Sequence, residues 1–402
     1  MVRSRTVKPL RILHVAPFCA EAWGYGGIPR VVGRLASGLV VRGHHVTVCA
    51  TDACDERSRV PAGERQAAGV ALRIFPNLWN GAAFRWQAFL PLGMAGWLQR
   101  HAAGFDVAHL HACRNLPTAF AARRLHRAGV PYAFSPHGTA PLIERRRAIK
   151  WIFDRTIGRG ALDHALRVVA VSDAEQRDLI RLGIAESRIR VVENPLGMGE
   201  LEAPARGAFR RRARLTGSPL VAYLGQLSPR KHIDQLVHAF AALDLPNAGL
   251  VIAGPDRGCL AELRALVRRL GLEERTRFFG TLVGRERLEM LRDADVVAYP
   301  GAHEVFGLVL VESLGCGTPV VVADDSGARD LIVGLGGGLS VAPGDSAALA
   351  AGLRVVLADL DGFRARAIAA GHELAKRCAE PVVIDRLEAV YAELLAGAGG
   401  RA

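Results

Sequence analysis

The chain has little of what would staple, metallate or embed it. Only seven of its 402 residues are cysteine, an odd number, widely spaced, with no Cys-x-x-Cys pair and no His/Cys cluster at zinc spacing. That argues against a disulfide framework or a structural metal site, and for cysteines that serve as small buried apolar residues in a reducing compartment. No apolar run approaches the roughly 18 residues of a membrane-spanning helix. The opening, MVRSRTVKPLRILHVAPF, has a basic start, but its short apolar stretch alternates like a strand and lacks a small-residue cleavage site, so it does not read as a signal peptide. Short-period repeats are absent, and low complexity is confined to a Gly/Ala tail. A cytoplasmic protein is expected, with attachment to the inner face of a membrane left open.

What is present is an ordinary globular composition with an unusual charge. Hydrophobic residues make up 50% and charged residues 23%, and the length suggests two or three domains at roughly 100–200 residues each. The formal net charge is +13. Residues 1–200 hold 28 basic and 15 acidic side chains, whereas the remainder holds 24 of each, and all five tryptophans lie in the first half. Such asymmetry points to two domains with different partners.

Periodicity supports a division near residue 200. In the first half, short apolar runs at 11–16, 45–50, 71–75, 106–111, 132–135, 167–171 and 189–192 alternate with helical patterns such as 29–42, 116–127 and 173–182. The second half repeats the scheme, with strands at 220–224, 249–253, 276–279, 295–299 and 318–322 and helices at 233–242, 259–270, 285–292 and 308–315. Alternation of this kind predicts an α/β protein built twice, as two doubly wound parallel sheets. The Pro-, Gly- and Arg-bearing stretch 196–218 reads as the linker. Wound sheets bind ligands at the carboxyl ends of their strands, which places a site in the cleft between two facing domains.

Several loops at strand ends carry chemistry, and each also has a plain structural reading. Gly24-Tyr25-Gly26-Gly27 could bring backbone N–H groups to a phosphate at a helix N-terminus, or simply make a tight turn. Pro136-His137-Gly138-Thr139 puts His137 at the ligand edge of its sheet, or in a loop that satisfies it internally. His109 and His111 alternate on one strand and read as packing residues; His44 and His45 read as a turn. Arg230-Lys231, directly after a strand, suits a diphosphate, although an Arg-Lys pair is commonly a solvated loop. The segment from Tyr299 through His303, Glu304, Phe306, Gly307, Leu308 and Glu312 to Thr318-Pro319 is the most informative. It leaves a strand, carries Glu304 in its loop and starts a helix near Gly307 whose N–H groups suit an anion. Glu312 lies inside that apolar helix, where its carboxylate needs a partner: ribose or sugar hydroxyls, or a salt bridge.

Glu304 and Glu312 resemble the Glu-x7-Glu signature of the retaining glycosyltransferases of family 4, the group 1 glycosyltransferases with the GT-B fold. Gly26-Gly27 with Arg30-Val31-Val32, the stretch from Leu39 to Val46, the His137-Gly138 loop, Val169–Ser172, Glu193-Asn194-Pro195, Gly225–Lys231, Ile252–Pro255 and Phe278–Gly280 follow the family's order. The resemblance runs from about residue 11 to 375 and implies an acceptor-side domain over 1–200, a nucleotide-sugar domain over 201–375, and a C-terminal helix over 376–402 crossing back to the first.

The resemblance also implies roles. Glu312 would bind the ribose hydroxyls, Glu304 the donor sugar, and the amides near Phe306, Gly307 and Leu308 its phosphates. Lys231, with Arg230, would neutralise the departing diphosphate, Gly27 would pack against the phosphates, and His137 would sit at the transferred sugar. No metal is expected, since cations and a helix N-terminus can replace one and Asp324-Asp325 lacks an Asp-x-Asp arrangement. Gln226 stands where the family commonly carries an arginine on the diphosphate, Asn194-Pro195 departs from the family's turn, and Ser326–Asp330 from its Gly-Gly-x-x-Glu loop.

The implied reaction moves a hexosyl group from a nucleotide-diphosphate sugar to a hydroxyl acceptor with retention, in polysaccharide or glycolipid synthesis. Alternatives are another GT-B enzyme, such as an epimerase or a phosphorylase, for which no cofactor lysine is evident, or a non-catalytic basic binder. The arginines are too dispersed for a nucleic-acid module. Two patches concern the acceptor: Phe75, Trp79, Phe84, Arg85, Trp86, Phe89 and Trp97, and the basic-apolar stretch Arg145–Phe153. Both suit an anionic membrane interface bearing a lipid-linked saccharide, or an acceptor-pocket wall or ordinary core.

Overall fold

The computed structural model describes residues 8–141, 151–197, 205–215, 218–325 and 327–399. The chain divides into two compact units: Met1–Pro195 with Glu380–Ala402, and Leu196–Ala379.

The first unit is built on eight strands: β1 (Arg11–Phe18), β2 (His45–Thr51), β3 (Gly63–Ala67), β4 (Val70–Phe75), β5 (Val107–His111), β6 (Tyr132–Ser135), β7 (Arg167–Ala170) and β8 (Ile189–Val191). Their order is β3-β4-β2-β1-β5-β6-β7-β8, parallel throughout except for the β3–β4 hairpin. β5 and β6 are buried along their whole length, so they read as apolar runs without a solvent face, as parallel strands under helices do. The edge strand β3, Gly-Glu-Arg-Gln-Ala, is almost wholly exposed and shows no apolar alternation, which is why periodicity misses it. The strand order reverses between β1 and β5. That is the position at which wound sheets open a crevice at their carboxyl ends.

The second unit carries β9 (Leu220–Leu224), β10 (Gly249–Ala253), β11 (Thr276–Phe279), β12 (Val296–Tyr299), β13 (Val320–Ala323) and β14 (Gly338–Val341), ordered β11-β10-β9-β12-β13-β14 and all parallel. Its reversal lies between β9 and β12. β14 emerges from the glycine run 334–338 that reads as a loop in sequence. Gly338 is needed there, because a Cβ would come within 2.1 Å of the Val320 carbonyl oxygen.

The stretch expected to be a linker is partly built into the second unit. Ala208–Ala213 is helical with Phe209 fully buried, and Arg210 donates from its backbone to Asp293 (3.0 Å) and from its guanidinium to Asp295 (2.5 Å). The helix Glu380–Gly399 belongs to the first unit, where Arg386 pairs with Glu193 and Tyr391 is buried. All seven cysteines are free thiols, five of them buried.

Candidate active site

The second unit's site grows from two loops that leave the carboxyl ends of the neighbouring strands β9 and β12. After β9, Ser228 leads into a single 3-10 turn, Pro229–Lys231, which turns the lysine inward. Lys231 is only 5% exposed, a position a lysine occupies only when paired. Its Nζ lies 2.5 Å from Glu304 Oε2, donates to the Tyr299 hydroxyl at 2.8 Å and sits 4.7 Å from that ring's centroid. Tyr299 in turn donates to Glu304 Oε2 at 3.1 Å. Gly301 makes room for this, since a Cβ would meet Lys231 Cδ at 2.9 Å. Burial alone would push the Glu304 carboxyl up, but the charges of Lys231 and Arg230 with the two hydrogen bonds prevail and hold it below the ordinary carboxylate range. The Tyr299 phenol is pushed well above its usual value, first by burial and then by the Glu304 charge.

Gly307 adopts a left-handed conformation (φ 70°) that caps the helix Leu308–Gly315. Leu308 therefore opens the helix four residues after Glu304; the N–H groups of Leu308 and Val309 have no carbonyl a turn earlier to bond, whereas Leu310 N–H bonds the Gly307 carbonyl at 2.8 Å, and Phe306 is buried. Arg230 and Gln226 are half-buried at the loop surface; the Gln226 carbonyl accepts from the Tyr223 hydroxyl at 3.0 Å, which stiffens the turn. Thus Arg230, Lys231, Glu304, Phe306, Gly307 and Leu308 are brought to one sheet edge, together with Tyr299, whose part the sequence did not reveal.

The partner of Glu312 is Arg287. Both are buried, and the guanidinium donates through two nitrogens to the two carboxylate oxygens, at 3.2 and 3.0 Å. Of the two partners open in sequence, the protein itself provides the salt bridge. Arg287→Leu takes the guanidinium from that buried carboxylate and is expected to cost about 3–5 kcal/mol; the double variant with Glu312→Leu regains most of that, as denaturant midpoints will read.

In the first unit, Gly27 caps the helix Ile28–Val41 and Gly26 carries a φ of 95°, so the Gly-Gly pair makes the strand-to-helix turn after β1. His137 follows β6 with a φ of 52°, a conformation costing of order 1–3 kcal/mol in a non-glycine residue. Two contacts hold it there: Gly138 N–H donates to the Glu175 carboxylate, and His137 Nε2 lies 3.0 Å from His111 Nδ1. Glu175, 1% exposed, also accepts from Val171 N–H at 2.8 Å, while its own N–H donates to Ser172 Oγ at 3.2 Å. Burial raises its carboxyl to about 7 against the Gly138 and Val171 N–H groups. The signal for Glu175 was the Ser-x-x-Glu box at the helix start.

His109 and His111 are not simple packing residues. They join His14, Ser135, His137 and Tyr391 in one buried hydrogen-bonded group. Burial lowers His14 to about 3 and His137 to about 4.

The aromatic patch divides in two. Phe75, Phe89 and Trp97 are core and Phe84 is half-buried, whereas Trp79 and Trp86 are about half exposed, edge to face at 5.5 Å. The two tryptophans line a cavity of about 570 Å³ with Arg57, Arg59 and Arg85. Of the basic-apolar stretch 145–153, residues 145–150 lie outside the described residues, and Trp151 and Ile152 are exposed. No helix among the described residues is long and apolar enough to cross a membrane.

Known proteins resemble the chain over most of its length. The profile of the family described as Glycosyl transferases group 1 matches residues 206–374, and that of Glycosyltransferase Family 4 matches residues 25–196. The D-inositol 3-phosphate glycosyltransferase of Kineococcus radiotolerans is 31% identical over 94% of this chain and 92% of its own length. That of Xylanimonas cellulosilytica is 37% identical over 52% of this chain, a match spanning only about half, 54%, of that relative. Among solved structures, Anabaena HepE in complex with UDP and glucose superposes with a TM-score of 0.73 at 19% identity, over 96% of this chain and 100% of that one. The architecture is the two-domain GT-B fold.

Proposed function

Because the chain belongs to the family 4, group 1 glycosyltransferases, we propose that it moves a hexosyl group from a nucleotide-diphosphate sugar to a hydroxyl acceptor, with retention at the anomeric carbon. The observation that carries this reading is the Lys231–Glu304–Tyr299 cluster beside the Leu308 helix start, at the strand-order reversal of the second unit. A buried cation, a neighbouring arginine and the first amides of a helix suit a leaving diphosphate, whose charge grows as the glycosidic bond breaks.

On this reading Lys231 and Arg230 neutralise the diphosphate and the amides at Phe306, Gly307 and Leu308 bind its oxygens. Glu304, kept ionised, accepts from the donor sugar's hydroxyls. Glu312, oriented by Arg287, accepts from the ribose hydroxyls; Gln226 lines the loop, Gly27 approaches the phosphates, and His137 meets the transferred sugar. The leaving diphosphate takes the acceptor's proton on the face it departs from. That UDP is the nucleotide in Anabaena HepE makes a UDP-sugar the first donor to try. No metal is required by this set, in which two cations and a helix N-terminus face the diphosphate. The test is a panel of nucleotide sugars screened by thermal shift, since a ligand bound only by the folded state raises the midpoint. Stabilisation is followed by NMR of the product's anomeric configuration: a retained configuration supports the reading, and inversion contradicts it.

For the acceptor we propose a saccharide, carried on a lipid and met at an anionic membrane surface by the first unit. Supporting this are the half-exposed Trp79 and Trp86 flanked by arginines, and the concentration of positive charge in that half of the chain. Liposomes containing anionic lipid are expected to float the protein at low salt, and Trp79→Ala with Trp86→Ala to abolish flotation. No flotation of the unaltered protein contradicts the membrane part of the reading.

A further inference from the structure

Six side chains of the first unit form one unbranched line of hydrogen bonds. Ser135 Oγ lies 2.7 Å from His109 Nε2, His109 Nδ1 lies 3.0 Å from the Tyr391 hydroxyl, and that hydroxyl lies 3.2 Å from His14 Nε2. His14 Nδ1 lies 3.0 Å from His111 Nε2, and His111 Nδ1 lies 3.0 Å from His137 Nε2. Every member but His137 is at most 1% exposed. Tyr391 comes from the C-terminal helix, 282 residues beyond His109.

A neutral imidazole has one donor nitrogen and one acceptor nitrogen, and burial keeps these rings neutral by lowering their proton affinity. With the Tyr391 hydroxyl proton used inside the line, it can be polarised in only two ways, each with every proton on the same side of its bond; a Tyr391 hydroxyl that accepted from both His109 and His14 would leave its own buried O–H unused. The two ways differ at the ends. If protons point from His137 toward Ser135, the buried serine only accepts, and its own O–H has no other partner among the described residues. If they point from Ser135 toward His137, that O–H is used. An unmade bond on a buried donor costs more than the difference between good bonds.

We propose that this line is a tautomer-setting relay, in which Ser135, His109, Tyr391, His14 and His111 hold His137 with its proton on Nδ1. His137 thereby presents a hydrogen-bond donor, rather than a lone pair, to whatever occupies the strand ends. Such a ring recognises an acceptor oxygen, as on a sugar hydroxyl, and Tyr391 acts on it as a positioning residue through the other rings. His14, His109 and His111 also sit close enough together to suggest a metal. Their geometry opposes it: His111 stacks on His14 at 22° and on His109 at 29°, and lone pairs lying in near-parallel ring planes do not converge on one ion.

The experiment is two-bond 1H–15N correlation NMR of the imidazoles in the full chain, with His137 assigned by loss of its signals in His137→Gln. The expected result is the Nδ1–H form of His137 in at least about fivefold excess, and a ratio near one in Tyr391→Phe, which removes a single oxygen. If Tyr391→Phe does not fold, Ser135→Ala cuts the line at its head and is expected to move the ratio the same way. A His137 protonated on Nε2, a ratio unmoved by a folded variant, or one equivalent of transition metal retained after dialysis would overturn the relay. The consequence for turnover rests on the transferase reading. Tyr391→Phe then lowers kcat by about 10–100-fold with the KM for donor unchanged. The NMR needs neither donor nor acceptor, so it stands or falls apart from that reading.

Discussion

Lys231→Ala is expected to lower glycosyl transfer by about 10²–10³-fold, the loss typical when one preorganised charge-stabilising group is removed. The loss falls on the diphosphate. Affinity for a nucleoside diphosphate drops by a comparable factor, while affinity for the nucleoside alone is unchanged. The substitution also leaves the half-buried Glu304 without the Lys231 ammonium, and stability is expected to fall with it. Lys231→Ala combined with Glu304→Gln separates the two effects, because the neutral amide no longer needs the ammonium. The double variant should regain the unaltered protein's unfolding midpoint and remain inactive. Recovery of transfer along with stability would assign Lys231 a structural role only.

Acidification is expected to unfold the first unit at pH values that ordinary proteins tolerate. His14 titrates near 3 in the fold, and His109 and His111 well below their usual value, all because burial disfavours the charged ring. In the unfolded chain each takes up its proton near 6.5. Between those values the unfolded state binds more protons, so stability rises with pH and is lost as pH falls below 6.5, by up to about 1.4 kcal/mol per pH unit for each group. Glu175 works in the opposite sense. Its carboxyl titrates at about 7 in the fold against 4.5 ordinarily, so between those values the fold holds the extra proton and gains stability as pH falls. Four histidines, His137 at about 4 among them, against one carboxylate leave up to about three protons, and because the unfolded rings are already half charged at pH 6.5 the loss from pH 6.5 to 5.5 is roughly 3 kcal/mol. In a unit of this size that is roughly 6–12 °C in midpoint from pH 6.5 to 5.5. Thermal unfolding followed across that range checks it, and a midpoint unchanged down to pH 4.5 contradicts the burial of neutral rings.

Much of this was legible because the pattern and the fold share a cause. β9, β10 and β12 are buried on both faces, so their sequences are unbroken apolar runs and their limits could be read within a residue. Lys231 and Glu304 were legible for the related reason that loops at strand ends hold the chemistry of wound sheets. What could not be read depends on distant pairing. Arg287 lies in the segment Gly-Arg-Glu-Arg-Leu-Glu-Met-Leu-Arg-Asp, whose charges look like a solvated face. Only the packed fold carries one of its arginines to Glu312. Tyr299 stood in view at the end of β12, but its hydroxyl matters only once Lys231 is folded beneath it. His109 and His111 alternate, which puts both on one face of β5, yet their meaning required His14 in register with His109 on β1 and a tyrosine from the last helix.

On the proposed function, the second unit's cluster at Lys231, Glu304 and the Leu308 helix start receives the diphosphate of a nucleotide sugar. Calorimetric titration of the full chain with UDP and with GDP, repeated on Lys231→Ala/Glu304→Gln, tests it directly. Saturable binding of one of the two by the unaltered protein is expected, weakened by about 10²-fold or more in the double variant. Binding that survives unchanged in a folded double variant, or no binding of either nucleotide by the unaltered protein, would contradict it.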